Sequence, residues 1–284
     1  MNPMVYLSIT ITAKDESPVI DRVIRSVIYQ IERADINYEL ILVDNYSKDD
    51  TYNIMKKYVN ERIKVYRYKG RKGAARNFAL LQSEGKYVMA LDADQIYNEF
   101  SILLNDYFRN YSIFGVKIGR SSFPIIAPRD LLIKVGGWRN LQYAEDWDLW
   151  FRLTDNCRYI YLPDYDFVFG EHLRDHKVKQ SFFKKIYRGI TKARDLYSVG
   201  LPITLNNRKS KLIYEAGKIL YFLNGERKAN YKCIKYIEEP LEFDLDWDIK
   251  FHYNLMKFEV NHCNINRDIF ANVFYLINNY IKKS

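Results

Sequence analysis

The chain has 284 residues, 48% of them hydrophobic and 28% charged, the balance of a folded globular protein and not of a disordered or collagen-like one. Its formal charge of +9 invites a polyanionic partner, but the excess is local. Residues 1–173 hold 23 basic and 23 acidic side chains, residues 174–235 hold 16 and 4, and residues 236–284 hold 5 and 8. A neutral first half argues against a uniformly basic nucleic-acid binder.

Three cysteines, Cys157, Cys233 and Cys263, are odd in number, far apart and in no CxxC pair. They predict neither a disulfide framework nor a thiolate zinc site, and a reducing cytosol is the expected compartment. The first residues, MNPMVYLSITITAKDES, lack a basic stretch leading into a long apolar core, and no apolar run reaches about 18 residues. Neither secretion nor a membrane span is expected.

In chain order, Val5 to Thr12 (VYLSITIT) is β-branched and apolar without clean alternation, which predicts a buried central strand. A helix is expected over 18–34, with Pro18 early and Val19, Val23, Ile24, Val27, Ile28 and Ile31 at helical spacing. Tyr38 to Val43 predicts a second buried strand ending at Asp44-Asn45, followed by a helix to about Val59 and a strand over Ile63 to Tyr68. Gly70 to Gly73 opens a helix, Ala74 to Ser83, and Lys86 to Leu91 predicts a strand that stops at Asp92-Ala93-Asp94. Shorter strands are expected within 113–119, 124–128 and 159–162, with helices over 129–135 and 146–154. Beyond Gln180 the pattern is mostly helical, including a last helix over 269–281.

Strand and helix alternate, with polar residues at the carboxyl ends of the strands, as in an α/β sheet that binds ligands along that edge. Asp92 and Asp94 lie two apart in extended chain and point to one face. Such a carboxylate pair suits a hard cation whose shell phosphate oxygens complete, Mn2+ or Mg2+. Lys72-Gly73-Ala74-Ala75-Arg76-Asn77 starts a helix suited to an anionic ligand. Gly136-Gly137-Trp138 and Glu145-Asp146-Trp147-Asp148 follow in order.

Four blocks, ITAKDE, LILVDNYSKDDT, KGAARNFALLQSEGKYVMALDAD and RDLLIKVGGW with EDWDLWFRL, together resemble a family 2 glycosyltransferase of the GT-A fold over roughly residues 5–173. The resemblance implies an α/β fold, a mixed, Rossmann-like sheet flanked by helices over 1–175, with a basic and helical extension over 176–284. It implies that Thr12, Ala13, Glu16 and Asp44 border the nucleoside of a nucleotide-diphosphate sugar, with Lys72 and Arg76 near base or phosphate. Asp92 would touch the donor's ribose or sugar, and Asp94 would hold the metal. His172 stands where many relatives complete the metal shell, and His176 is its rival. Asp146 matches the general base, with Glu145 beside it in the catalytic pair, for inverting transfer to a hydroxyl acceptor, a glycan or lipid-linked glycan. Two departures stand out: Asn45 replaces the commoner second Asp, and Asp50 stands where Gly is usual.

The alternatives are a sugar-phosphate nucleotidyltransferase, for which the glycine-rich loop after the first strand is missing, and a silent scaffold, against which Asp92, Asp94 and Asp146 argue. Trp138 is an acceptor-side candidate for sugar stacking. Residues 180–197, SFFKKIYRGITKARDLYS, have the pattern of a basic amphipathic helix, which suits equally peripheral attachment at the cytoplasmic face of a membrane and packing of the apolar face on the core with the cations solvated. Nucleic acid is the weaker reading, and the acidic stretch 238–248 reads as solvated.

Overall fold

Leu7–Ala13 (β1) and Tyr38–Asp44 (β2) are buried along nearly their whole length, which a strand achieves only with neighbours on both edges and cover on both faces. The chain, seen in a computed structural model, is described over residues 6–120, 125–173, 181–224, 228–237, 240–243, 249–263, 270 and 274–275. It divides into two units, one of residues 1–137 with 160–174 and another of 138–159 with 175–284. Helix 145–155 therefore groups with the C-terminal segment and not with the sheet.

In the first unit α1 (Ile20–Arg33) buries Val23, Ile24, Val27 and Ile31, the 3.6-residue stripe expected of it. After β2 come α2 (Thr51–Lys56), β3 (Ile63–Arg67), α3 (Lys72–Gln82) and β4 (Tyr87–Leu91). Then β5 (Gln95–Tyr97), α4 (Phe100–Asp106), β6 (Gly115–Ile118), β7 (Ile125–Pro128) and α5 (Arg129–Lys134) follow. The helix α4 was not expected from the sequence, yet Phe100, Leu103 and Leu104 are buried at helical spacing. The second unit's α6 (Glu145–Asp155) precedes β8 (Tyr159–Leu162) and β9 (Phe169–His172).

The sheet order is β3-β2-β1-β4-β7-β6-β8. Strands β3, β2, β1 and β4 run parallel, and β7 pairs antiparallel with both β4 and β6. This is the mixed sheet expected of the α/β reading. Separately, β5 pairs antiparallel with β9 as a short ribbon, with Gln95 opposite His172.

The C-terminal segment adds α7 (Phe182–Val199), β10 (Ile203–Thr204), α8 (Arg208–Leu223), β11 (Leu241–Glu242) and α9 (Ile249–His262). Among the described residues no helix is long and apolar enough to cross a membrane. His176, most of the acidic stretch 238–248 and most of the expected helix 269–281 lie outside the described residues.

Helices α6 and α9 pack through aromatic rings: Trp147 lies 4.4 Å from Phe251 and 5.8 Å from His252, centroid to centroid. Between them the Tyr159 hydroxyl meets His252 Nδ1 at 2.6 Å, and the Tyr159 N–H donates to Glu259 Oε1 at 2.7 Å. At the ends of these helices Cys157 and Cys263 form a disulfide, and Cys233 is free and buried. The expectation of no disulfide is thus corrected. The partners are 106 residues apart in sequence, and only the packing of α9 behind α6 brings them together, so spacing could not reveal the pair. With it goes the cysteine-based ground for a reducing compartment.

Glu259 is fully buried, and its Oε2 has no hydrogen-bond partner. Burial pushes its carboxyl well above the ordinary range, against the opposing pull of the Tyr159 and Arg158 N–H groups and the Arg158 charge. The native state therefore keeps a proton that the unfolded chain releases near pH 4.3. Above that pH the unfolded state binds fewer protons, so stability falls as pH rises toward the elevated native value. Glu259→Gln is expected to flatten the pH dependence of Tm between pH 5 and 8, with the variant at least as stable as the parent at pH 8. Parallel Tm–pH curves for the two proteins would refute this.

Contacts between α7 and α8 climb together: Gly189 faces Ile213, Gly217 faces Ala193, and Tyr197 meets Tyr221. The two helices are therefore parallel neighbours, with a constant offset that places 182–188 alongside 206–212. A Cβ at Gly217 would stand 2.5 Å from Ala193 Cβ and 2.7 Å from the Arg194 backbone nitrogen. Backbone cannot swing aside, and overpacking of this kind costs about 1–3 kcal/mol, against roughly 1 kcal/mol that Ala gains over Gly as a helix former. Gly217→Ala should lower Tm by a few degrees, and an unchanged or raised Tm in thermal unfolding would contradict the close crossing.

Candidate active site

Two crossing loops shape the carboxyl end of the central strands. After β1 the chain turns through Asp15, held at φ 56°, and after β2 through residues 45–50. The Asp15 N–H donates to Ser47 Oγ, the Lys48 N–H to Asp15 Oδ1, the Glu16 N–H to Thr51 Oγ1 and the Ser17 N–H to Asp49 Oδ2, all within 2.7–2.9 Å. Although partial burial opposes its ionisation, hydrogen bonds from Thr51 and Ser17 hold the Asp49 carboxyl down at about 2. The loops are thereby fixed before any ligand arrives.

Thr12 is half-buried, and Ala13 and Glu16 are buried in this turn. Asp44, at the end of β2, is fully buried, and its oxygens accept from the Ser47 N–H and from Arg67 Nε at 2.8 Å. Arg67, partly exposed, also lies over the rings of Tyr46 and Tyr52 at 4.8 and 4.6 Å. A ligand at this place would meet Arg67 and the tyrosines before it met Asp44. Sequence reasoning missed Arg67, although its position at the end of a strand beside β2 was a usable signal. Asn45, the departure from the common Asp, accepts from the Gly70 N–H at 3.1 Å and so ties down the loop before α3.

Lys72 begins α3, and one turn on Arg76 is buried and pairs with Asp92 Oδ1 at 2.9 Å. Tyr97 lies under this pair: its hydroxyl accepts from the Asp92 N–H at 2.8 Å. Burial, then the Asp92 charge, raises the Tyr97 phenol well above its ordinary value, so it stays a neutral support.

The ribbon of β5 and β9 joins segments far apart in the sequence. The Leu173 N–H donates to the Asp94 carbonyl at 2.8 Å, and His172 Nε2 lies 3.6 Å from Asp94 Oδ2. Asp94 and His172, 78 positions apart, thus share one corner. Among the described residues no group of three or more His, Cys, Asp and Glu side chains could cage a metal. One carboxylate and one imidazole nevertheless fit an Mn2+ or Mg2+ ion that relies on phosphate oxygens and water for the rest of its shell.

In the other unit Asp146 and Glu145 sit in the first turn of α6, both buried. Trp138 is buried as well, and its Nε1–H donates to Asp146 Oδ1 at 3.2 Å. Its ring is therefore not a free sugar platform, and its chemistry is to hold the carboxylate. Asp148, fully buried, accepts from Arg139 at 2.7 Å, from Arg152 Nη2 at 2.6 Å and from the Tyr231 hydroxyl at 2.5 Å. Asp195 accepts from the N–H groups of Gln142 and Tyr143 at 2.7 and 2.9 Å. Burial raises its carboxyl in spite of the adjoining Arg194. These bonds fix the segment that leads into α6, and neither Tyr231 nor Asp195 stood out in the sequence.

A mixed sheet of this order, with an Asp-x-Asp pair after β4 and a charged turn after β1, has the GT-A fold. Residues 8–124 match the glycosyl transferase family 2 model. A mannosyltransferase from Pyrobaculum calidifontis, solved with GDP-Man and Mn2+, aligns at a TM-score of 0.55 and 15% identity, covering 96% of this chain and 80% of that one. A mannosyl-3-phosphoglycerate synthase from Rubrobacter xylanophilus aligns at 0.50 and 15%, covering 68% and 73%. The 1–349 fragment of S. aureus TarS, with UDP-GlcNAc, aligns at 0.49 and 18%, covering 91% and 89%. No curated relative matches significantly. At these identities the first two likenesses speak to the fold.

Proposed function

We propose that the chain moves a sugar from a nucleotide-diphosphate donor to a hydroxyl acceptor with inversion at the anomeric carbon. The observation that carries this reading is the corner of Asp94 and His172, 3.6 Å apart, beside the buried Arg76–Asp92 pair. In this reading Asp94 and His172 would hold Mn2+ or Mg2+, which when bound would supply compensation for the negative charge of the departing diphosphate. Lys72, at the start of α3, adds a cation for the phosphates, and Asp92, oriented by Arg76, accepts from hydroxyls of the ribose or sugar. Arg67 with Tyr46 and Tyr52 forms the face for the base, and Thr12, Ala13 and Glu16 shape the turn beside it.

Asp146 takes the proton of the attacking hydroxyl as general base. Glu145 flanks it, and Trp138 keeps one of its oxygens oriented. A base and a leaving group on opposite faces of the sugar give single displacement through an oxocarbenium-like transition state. The solved mannosyltransferase with GDP-Man and Mn2+ supports a nucleotide-sugar donor and a divalent cation here. A glycan or lipid-linked glycan is the acceptor class that suits a basic region following the sheet.

Thermal-shift screening of UDP-, GDP- and dTDP-sugars, with and without Mn2+, tests the donor. A ligand in excess of its Kd stabilises by RT ln(1 + [L]/Kd), about 2.7 kcal/mol at a hundredfold excess. No shift with any nucleotide diphosphate in any metal would end the reading.

A further inference from the structure

The helix expected over 180–197 forms as α7, but only part of it is open to solvent. From Thr191 onward its residues are largely buried, among them Ala193, Arg194, Asp195, Leu196, Ser198 and Val199. Only its first two turns stand free, and there the side chains are bulky and apolar: Phe182 is 65% exposed, Phe183 81% and Tyr187 69%. Phe182 and Phe183 touch each other edge to face, 5.9 Å between centroids. Isolated exposed apolar residues are ordinary, whereas two adjoining phenylalanines at the tip of a helix are not.

The second helix completes the surface. Because α7 and α8 run parallel, the start of α8 lies beside this tip, with Leu212, 73% exposed, level with Arg188. Around the apolar group stand Lys184, Lys185 and Arg188 from α7 and Arg208, Lys209 and Lys211 from α8, all exposed. Arg188 also lies over the Tyr143 ring at 5.9 Å. Neither 181–194 nor 205–214 contains an acidic residue. Six cations thus ring an apolar tip with no anion among them.

We propose that the paired starts of α7 and α8 form a docking surface for an anionic lipid membrane, end-on, with Phe182 and Phe183 entering the acyl boundary and the six cations meeting headgroups. Charge complementarity selects an anionic partner. The adjoining apolar side chains at the tip favour lipid over nucleic acid, because each gains from leaving water, and the vesicle and oligonucleotide arms of the test separate the two. This surface lies within one unit and stands apart from the glycosyltransferase reading.

The test is co-flotation of the full-length chain with vesicles of phosphatidylcholine alone and of phosphatidylcholine with 30% phosphatidylglycerol. Binding is expected only to the anionic vesicles. Each lysine near the surface contributes about 1 kcal/mol, so each one removed should weaken binding about fivefold. Lys184→Gln with Lys185→Gln, and separately Lys209→Gln with Lys211→Gln, should each reduce affinity about 25-fold. Phe182→Ser with Phe183→Ser, which leaves the charge unchanged, should reduce it at least tenfold. All six side chains are exposed, so far-UV circular dichroism and Tm should match the parent.

Three results would overturn the proposal. The first is no binding to anionic vesicles. The second is binding that ignores the two serine replacements and vanishes with salt, which is adhesion of a basic protein only. The third is preference for a DNA oligonucleotide, or for a second copy of the chain in light scattering, with vesicles left unbound.

Discussion

Asp146→Asn is expected to lower kcat by about 10²- to 10⁴-fold, the usual contribution of a positioned general base, while the donor's thermal shift stays intact. The amide keeps the size of the carboxylate and can still meet Trp138, so the buried start of α6 should hold. A loss of donor binding together with rate would mean that Asp146 shapes the domain and not the proton transfer. Trp138→Phe separates the two roles further. It keeps an aromatic ring, smaller than the indole, and removes the Nε1–H that reaches Asp146 at 3.2 Å. A fall in kcat of about tenfold, with KM for the donor unchanged, is the expected signature of an orienting residue, and a shift confined to acceptor KM would restore the sugar-stacking role.

Asp94→Ala should be as severe by another route. Metal stabilisation of a departing phosphoryl oxygen is worth several kcal/mol, on the order of a thousandfold in kcat/KM. The readout that isolates it is the Mn2+-dependent part of the nucleotide thermal shift, which should disappear in Asp94→Ala and shrink in His172→Ala. Because His172 sits on a two-stranded ribbon with an exposed face, its loss should be the milder of the two. Full Mn2+ dependence in both variants would remove this corner from the donor site. Asp92→Asn offers a contrast. It weakens the ion pair with buried Arg76, so its effect should include a drop in Tm that the Asp94 change lacks.

The strands that carry the sheet were legible because a buried parallel strand writes itself as an unbroken apolar run. LILV and YVMAL are such runs, ITIT is a β-branched stretch that reads as a strand for a related reason, and each stops at the residue where polar chemistry begins. The ordering of Asp44, Asp92 and Asp94 along one edge follows from that alone. What eluded sequence reasoning depends on tertiary proximity. The three-residue strand Gln95–Tyr97 is too short for a period, and its pairing with Phe169–His172 is what brings the histidine to Asp94. Asp44 looked like a ligand-facing carboxylate because nothing local announces that Arg67, 23 positions on, engages it. Residues 180–197 show the same limit in reverse: the helical period was right, but which half of the helix is covered depends on α8 and the segments packed around it. Trp138 and Asp146, eight apart, could have been suspected as partners from their shared motif block.

The disulfide between Cys157 and Cys263 makes a covalent ring of everything from the end of α6 to the end of α9. Both helices of the basic pair lie inside this ring, so a single protease cut between α7 and α8 opens it without releasing a fragment. On a non-reducing gel the nicked chain should run as one species, and reductant should split it in two. A tip held at a surface would likewise remain tethered to the helix that bears Asp146 through two paths of covalent bonds, so that one broken peptide does not detach the anchor from the chemistry.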